Sequence, residues 1–369
     1  MVAPPLRQVD LRSPVPRYVQ AKTILIDAIQ RGTFPRGSKL PSTHEISQSL
    51  SVSLITAHKA IQCLVAEGWL DRLRGRGTFV RDDFEASVAA KACYRVGLLL
   101  DEGVHLGDYY HGALLHGLRQ AACADDPGVE LFIQRQNSPA AIPNLLADGF
   151  ICFHPFRETF AMLEAVAKST PIVVLGGSSR DTSLHCVDSE NEGGAREAVR
   201  HLAQLGHRDI AIINGRLAAT NALHRFNGYL AEMRERELPI RDEYILNSER
   251  AEMTAGTRSR LAALLRGPLR PTAVFAAGYM LALEVLEVAR EIGLRIPHDL
   301  SLVAFDDPRS ASLLNPPLTT VRQPLEQMAR LAVERLTALM NRTEPSPRVQ
   351  MLPTKLIVRE STARVPGSA

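Results

Sequence analysis

Residues 40–80 read LPSTHEISQSLSVSLITAHKAIQCLVAEGWLDRLRGRGTFV. Ser42-Thr43-His44-Glu45 has the spacing of a capping box, so a helix is predicted to start there, carrying Ile46 and Leu50 inward. Ser53 can cap a second helix, in which Ile61, Leu64 and Val65 face a core and Thr56, His58, Lys59 and Gln62 face out. Leu70–Leu73 and Thr78–Arg81 read as two short strands around a tip, Arg74-Gly75-Arg76-Gly77. Helix, turn, helix and basic hairpin in that order give a helix shaped for a major groove and a loop shaped for the neighbouring phosphates.

Working outward, Tyr18–Ile29 has helical spacing, with Val19, Leu25, Ile26 and Ile29 on one face and Gly32 and Pro35 as stops. Residues 1–15 are rich in Pro and Arg and read as a loose N-terminus; 16–81 form the head, and 82–94 lack a pattern and read as a linker. Charge follows this division. Residues 1–81 hold twelve Lys+Arg against five Asp+Glu, a surplus of seven, whereas the rest holds 31 against 35. A basic head on a mildly acidic body points to a polyanion as the partner of the head.

From Arg95 onward short apolar runs alternate with helical stretches. The runs are Val96–Leu100, Val129–Ile133, Gly149–Phe153, Ile172–Leu175, Ile210–Ile213, Thr272–Ala276 and Ser301–Phe305. Helical patterns cover Tyr110–Ala124, Phe160–Lys168, Gly194–Leu205, Ala222–Glu237, Ala255–Leu265, Met280–Ile292 and Leu325–Met340. Strand–helix alternation predicts an α/β body of doubly wound parallel sheets, and its length suffices for two lobes. Such sheets bind ligands beyond the carboxyl ends of their strands. Asp101 and Glu102 follow the first run, and Asp306 and Asp307 follow Ser301–Phe305. Asn221 and Arg225 come after Ile210–Ile213, and Ser189, Glu190 and Asn191 precede a helix. These carboxylates, amides and guanidinium can hydrogen-bond sugar hydroxyls at fixed directions.

Composition excludes several classes. The chain is 45% hydrophobic and 22% charged, as in ordinary globular proteins. Its five cysteines, Cys63, Cys93, Cys123, Cys152 and Cys186, are scattered with no C-x-x-C pair, so neither a disulfide framework nor a metal site is expected. No apolar run reaches membrane-spanning length. The N-terminus lacks the apolar core of a signal peptide, so a cytoplasmic chain is expected. There is no nucleophile elbow and no H-E-x-x-H. The only lysines after residue 81 are Lys91, Lys168 and Lys355, none in a motif suited to a pyridoxal Schiff base. No cofactor and no enzymatic activity are expected. Gly176-Gly177 has neither phosphate-loop spacing.

Two resemblances sharpen this reading. Tyr18, Gly32, Pro35, Gly37, Leu40-Pro41-Ser42, Glu45, Val52-Ser53, Leu64, Glu67-Gly68-Trp69-Leu70 and Gly75-x-Gly77-Thr78-Phe79-Val80 resemble the GntR-type winged helix. Residues 95–363 resemble the effector domain of LacI-type regulators, which is periplasmic-binding-protein-like. That match is densest in Pro297-x-Asp299-x-Ser301-x-Val303-x-Phe305-Asp306-Asp307 and Pro316 through Pro324. His201-Leu202, Leu205-Gly206-His207-Arg208, Arg225-x-x-Gly228-Tyr229, Pro271-Thr272-Ala273 and Leu352-Pro353 through Thr362 support it. The combination is similar to hybrid regulators of the arabinose-repressor type.

The resemblance implies that double-stranded operator DNA meets Lys39, Ser42, Thr43, His44, Ser53, Thr56, His58, Lys59, Arg74, Gly75 and Arg76, with Arg72 as a further phosphate partner. It also implies that Asp101, Asn221, Arg225, Asp306 and Gln323 line a site for a small carbohydrate-related effector. Asp307 would support the turn, and Tyr109 or Tyr110 could stack on a ring. One lobe would comprise about 95–189 and 325–352, the other about 190–321 and 353–363. A homodimer is expected, with no membrane partner. A solute-binding protein of a transport system is the alternative. Two departures stand out. His44, Leu54 and His58 occupy places where the family often has arginine, which removes guanine readers. Gly278-Tyr279 stands where Asn-Asp often follows the Pro271-Thr272-Ala273 strand.

Overall fold

A computed structural model describes residues 6, 8–9, 17–66, 68–73, 76–81, 94–100, 108–124, 128–135, 147–179, 181–248 and 252–365. Asp101, Glu102, Arg74, Gly75, most of residues 1–15 and nearly all of the expected linker lie outside them. The chain divides into two compact units, Met1–Ala92 and Cys93–Ala369.

The first unit holds helices α1 (Arg17–Gln30), α2 (Thr43–Ser49) and α3 (Leu54–Ala66) and strands β1 (Leu70–Leu73) and β2 (Gly77–Val80). Helix α1 buries Ala21, Ile24, Leu25 and Ala28, a spacing of three, four and seven that makes one stripe. This corrects the expected face: Val19, Ile26 and Ile29 flank the stripe and are only half-buried. In α3, Ala57, Ala60, Ile61 and Leu64 are buried, and Trp69, just after the helix, is buried as well. The two strands pair antiparallel from Leu70–Val80 to Leu73–Gly77. Gly77 has φ +119°, a region that disfavours side chains, and a Cβ there would stand 2.6 Å from Lys39 Cε.

The second unit contains two six-stranded sheets. One has the order β13-β7-β6-β5-β3-β4: Val349–Leu352, His185–Ser189, Ile172–Leu175, Gly149–Phe153, Tyr94–Leu100 and Val129–Arg135. All its pairings are parallel. The other has the order β14-β12-β11-β10-β8-β9: Lys355–Ile357, Thr319–Arg322, Ser301–Phe305, Ala273–Ala276, Ile210–Asn214 and Ile245–Asn247. It is parallel except at β14, which runs antiparallel to β12. Strands β5, β6, β8, β10 and β11 are buried along their whole length. Continuous burial is what helices on both faces of a parallel sheet require.

Helices α4 (Tyr109–Ala124) and α5 (Phe160–Ala167) lie in the first half of this unit. Helices α6 (Asn191–Gln204), α7 (Thr220–Glu235), α8 (Ala255–Arg266) and α9 (Tyr279–Glu291) lie between β7 and β11. The last helix, α10 (Leu325–Met340), returns to the first sheet, where Met328, Ala329, Val333 and Leu336 share a core with Leu98, Leu118, Ile151 and Val173. The chain therefore passes between sheets three times: from β7 into α6, from β12 into α10, and from β13 into β14.

Candidate functional sites

In the head, the Ser42 side chain accepts the Glu45 N–H at 3.3 Å, and the Glu45 carboxylate accepts the Ser42 N–H at 2.7 Å. The hydrogen bonds from Ser42 hold the Glu45 pKa below the usual carboxylate value. At the start of α3, Ser53 Oγ accepts the Thr56 N–H at 3.2 Å and pairs with Thr56 Oγ1 at 2.8 Å. Both helices are thus fixed by their own caps. His44 is exposed and sits 3.2 Å from the Gln48 amide. Thr43 and His58 are half-buried; Ser42, Lys39, Arg72 and Arg76 are exposed. The Lys59 ammonium lies 4.1 Å over the Tyr18 ring, which commits part of its charge to α1.

In the body, the expected effector residues converge. Arg225 is buried on α7. Its Nε donates to Asn191 Oδ1 at 2.8 Å and its Nη1 to the Ala277 carbonyl at 2.8 Å. Its guanidinium lies 3.8 Å over the Phe305 ring and 3.9 Å from Asp306 Oδ2. Gln323 Nε2 donates to Asp306 Oδ1, and Ser189 Oγ donates to Gln323 Oε1. The Ser189 N–H donates to Asp188 Oδ1 at 2.8 Å, and Asn191 Nδ2 donates to the same oxygen at 3.0 Å. Asp188, Asn191, Arg225, Asp306, Gln323 and Ser189 therefore close a ring of polar contacts. The ring includes residues at two of the three passages between the sheets.

Electrostatics in this ring follow from burial. It pushes the Asp188 carboxyl up to about 6, against the hydrogen bonds it accepts. Burial also raises the Asp306 pKa, and the Arg225 cation opposes it. Asp306 has φ +73°, a left-handed turn that non-glycine residues enter only when surroundings enforce it. Asp307 serves elsewhere: it accepts from Thr320 Oγ1 at 2.7 Å, Arg322 Nε at 2.8 Å and Arg359 Nη1 at 2.8 Å. Burial would raise its pKa, but those donors win and hold it low.

The carboxyl-edge loops of the two sheets also meet directly. Phe156 and Ala219 form an isolated antiparallel bridge, and the Ser178 N–H donates to Thr220 Oγ1 at 3.2 Å. Asn221, another expected residue, uses Oδ1 to accept the Ala222 N–H at 2.7 Å, which turns its Nδ2 toward His154 Nδ1 at 3.0 Å. Tyr110, His111 and His154 cluster here, with His154 4.6 Å from the Tyr110 ring and 5.2 Å from the His111 ring. Burial, together with His111 and Arg225, drives the His154 pKa well below its ordinary value. Among the described residues His154 Nε2 has no partner. Burial raises the Tyr109 pKa to about 12, with Asp306 and Asp307 adding to it. Sequence reasoning did not single out His154 or Asp188. His154 was findable, since it follows a buried strand just as Asp306 does.

Among the described residues, no His, Cys, Asp or Glu group is arranged to hold a metal ion, and no helix is long and apolar enough to cross a membrane. A winged helix attached to a two-sheet ligand-binding body defines a ligand-responsive regulator of transcription.

Comparison with known proteins makes this specific. Residues 17–80 match the bacterial regulatory proteins of the gntR family, and residues 199–362 match the periplasmic binding protein-like domain. The arabinose metabolism transcriptional repressor of Geobacillus stearothermophilus is 26% identical over 368 residues, covering 95% of this chain and 99% of that one. The probable HTH-type transcriptional repressor ExuR of Bacillus subtilis (strain 168) is 32% identical over 198 residues, 54% of this chain and 59% of that one. Among solved structures, a regulatory protein of the LacI family from Chloroflexus aggregans superposes with a TM-score of 0.63 at 29% identity, covering 73% of this chain and 98% of that one. The chain carries a GntR-type head and a LacI-type, periplasmic-binding-like body, and it is a ligand-responsive DNA-binding repressor. The comparisons give no support to a transport solute-binding protein.

Proposed function

We propose that a small carbohydrate or related polyol binds where the two carboxyl edges meet and thereby sets the affinity of the head for operator DNA. Asn221, Arg225, Asp306 and Gln323 hold its hydroxyl edges, and Tyr110 offers a ring to its face; Asp101 belongs to the same proposal from sequence alone. The protein acts as a homodimer on a near-palindromic site and as a binding protein, not an enzyme. Relief of repression on ligand binding is the mode we favour.

The ring from Asp188 through Arg225 to Ser189 carries this reading. A polyol entering the seam must exchange hydrogen bonds with Arg225, Asp306 or Gln323, and the ring they share with Ser189 and Asn191 includes two of the passages between the sheets. Occupancy is therefore coupled to the angle between lobes. The effect on DNA cannot exceed the difference in effector affinity between lobe arrangements, typically about 1–3 kcal/mol, or roughly 5- to 150-fold.

A thermal-shift screen with pentoses, hexoses, uronates and nucleosides identifies the ligand. The hit is then added to a gel shift on the protein's own promoter DNA. We expect one class to raise the melting temperature and to change duplex affinity within that range. A hit that stabilises the body but leaves duplex affinity unchanged would refute the coupling. For the head, Arg72→Ala with Arg76→Ala should weaken every duplex alike and reduce the slope of log affinity against log salt by about two. A loss confined to one sequence would contradict a phosphate role.

A further inference from the structure

Helix α3 leaves two large apolar side chains in the open: Leu54 is 53% exposed and Ile55 82% exposed. Both sit in its first turn. The other apolar residues of the helix do not share this position, since Ala57, Ala60, Ile61 and Leu64 are buried. The polar side chains of the same turn are engaged locally, because the Ser53 and Thr56 hydroxyls pair with each other and Ser53 Oγ also accepts the Thr56 N–H. What protrudes from the start of α3 is therefore hydrocarbon. The head as a whole is cationic, and its Lys39, Arg72 and Arg76 are exposed. Charge complementarity selects a polyanion for the head, and the start of α3 then offers to such a partner two side chains that cannot form hydrogen bonds.

We propose that Leu54 and Ile55 read thymine methyl groups in the major groove. This rests on the reading of the head as a DNA-binding unit. The residues at the N-terminal end of such a helix are the ones that approach base edges. In the major groove the C5-methyl of thymine is the one apolar feature a base pair offers. Leu54 and Ile55 gain by burying that methyl. Against guanine, N7 and O6 would lose water without gaining a donor, and burying an unpaired polar group is unfavourable. The same two side chains thus select for thymine and against guanine at one place in each half-site.

The test uses the full chain and randomised DNA duplexes. Selection for binding gives an enriched motif, and each of its thymines is then replaced in turn by deoxyuridine. This keeps base pairing and removes only the methyl. The expected result is a thymine in each half-site whose replacement weakens binding roughly fourfold, the worth of one buried methyl group. Leu54→Ala with Ile55→Ala should bind the thymine duplex more weakly and lose the difference between thymine and uracil. Because both side chains are exposed, the head should keep its melting temperature.

Duplexes bound equally well with uracil at every position, or a motif with guanine facing this turn, would overturn the inference while leaving DNA binding by the head intact. Failure to retain any duplex would sink the head reading and the inference together. If the double variant changed the assembly state of DNA-free protein and uracil cost the wild type nothing, the patch would be a protein contact and the inference would fail.

Discussion

The two sheets of the body have the same plan and offer different chemistry. Both have six strands in the same spatial order, all parallel in the first sheet and parallel except for the edge strand β14 in the second. At its carboxyl edge the first sheet presents rings, His154 after β5 together with Tyr110 and His111 at the start of α4, beside Asp188 and Ser189 at the end of β7. The second presents charges and amides, Arg225, Asp306 and Asn221. A sugar has both requirements, apolar C–H faces and polar rims. The difference suggests that one lobe holds the face and the other the rim, so that only a ligand touching both can fix their angle.

The largest way to break this comparison is to remove the cation. Arg225→Ala leaves Asp306 buried without its neighbouring cation and Asn191 Oδ1 without the Arg225 donor. A loss of about 3 kcal/mol in denaturant melts is expected, with the effector response abolished and duplex binding largely kept. An unchanged ligand response would take Arg225 out of the site.

Packing provides the next test, because each lobe contains a glycine at a helix crossing. A Cβ on Gly228 would stand 2.3 Å from the Glu192 carbonyl oxygen, a backbone atom. On Gly117 it would stand 2.8 Å from Ala329 Cβ and 3.2 Å from Glu326 Cα. Gly228→Ala should therefore destabilise by about 2–3 kcal/mol, and Gly117→Ala by less, about 1 kcal/mol. Equal losses would mean the two lobes tolerate overpacking alike.

The last test is read against pH. Native Asp188 holds its proton up to about 6, whereas the unfolded carboxyl releases it near 4. Its preference for the folded state is complete below about pH 4 and is lost as pH rises through about 6. The stability of wild type relative to Asp188→Asn should thus fall by about 2–3 kcal/mol across that interval. Using the difference removes the opposite slope from the buried histidines His154, His201 and His207, whose lowered pKa values favour folding at higher pH. A flat difference would show that Asp188 is ionised throughout.

The sequence made some of this visible. Long apolar runs such as Ser301–Phe305 read as buried strands because both their faces are covered. Strand β7 did not, because His185 and Asp188 interrupt the pattern, although all five of its residues are buried. Edge strands β9, β13 and β14 span three or four residues, too few for a period to show. Arg225 and Asp306 were legible as polar residues at strand and helix ends. Their link through Asn191 and Gln323 was not, because it joins four chain segments that only the fold brings together.

The order of assembly follows from where α10 belongs. The last element of the winged helix ends at Val80, but the first sheet has no complete core until Leu325–Met340 emerges. At ordinary synthesis rates that gap amounts to roughly ten to fifty seconds. A newborn chain can thus display a finished reading head while it is still deaf to metabolites. A polypeptide stopped at Gln323 should hold a duplex and keep the core of the second sheet, yet lack the cooperative melting of the first sheet and any effector response.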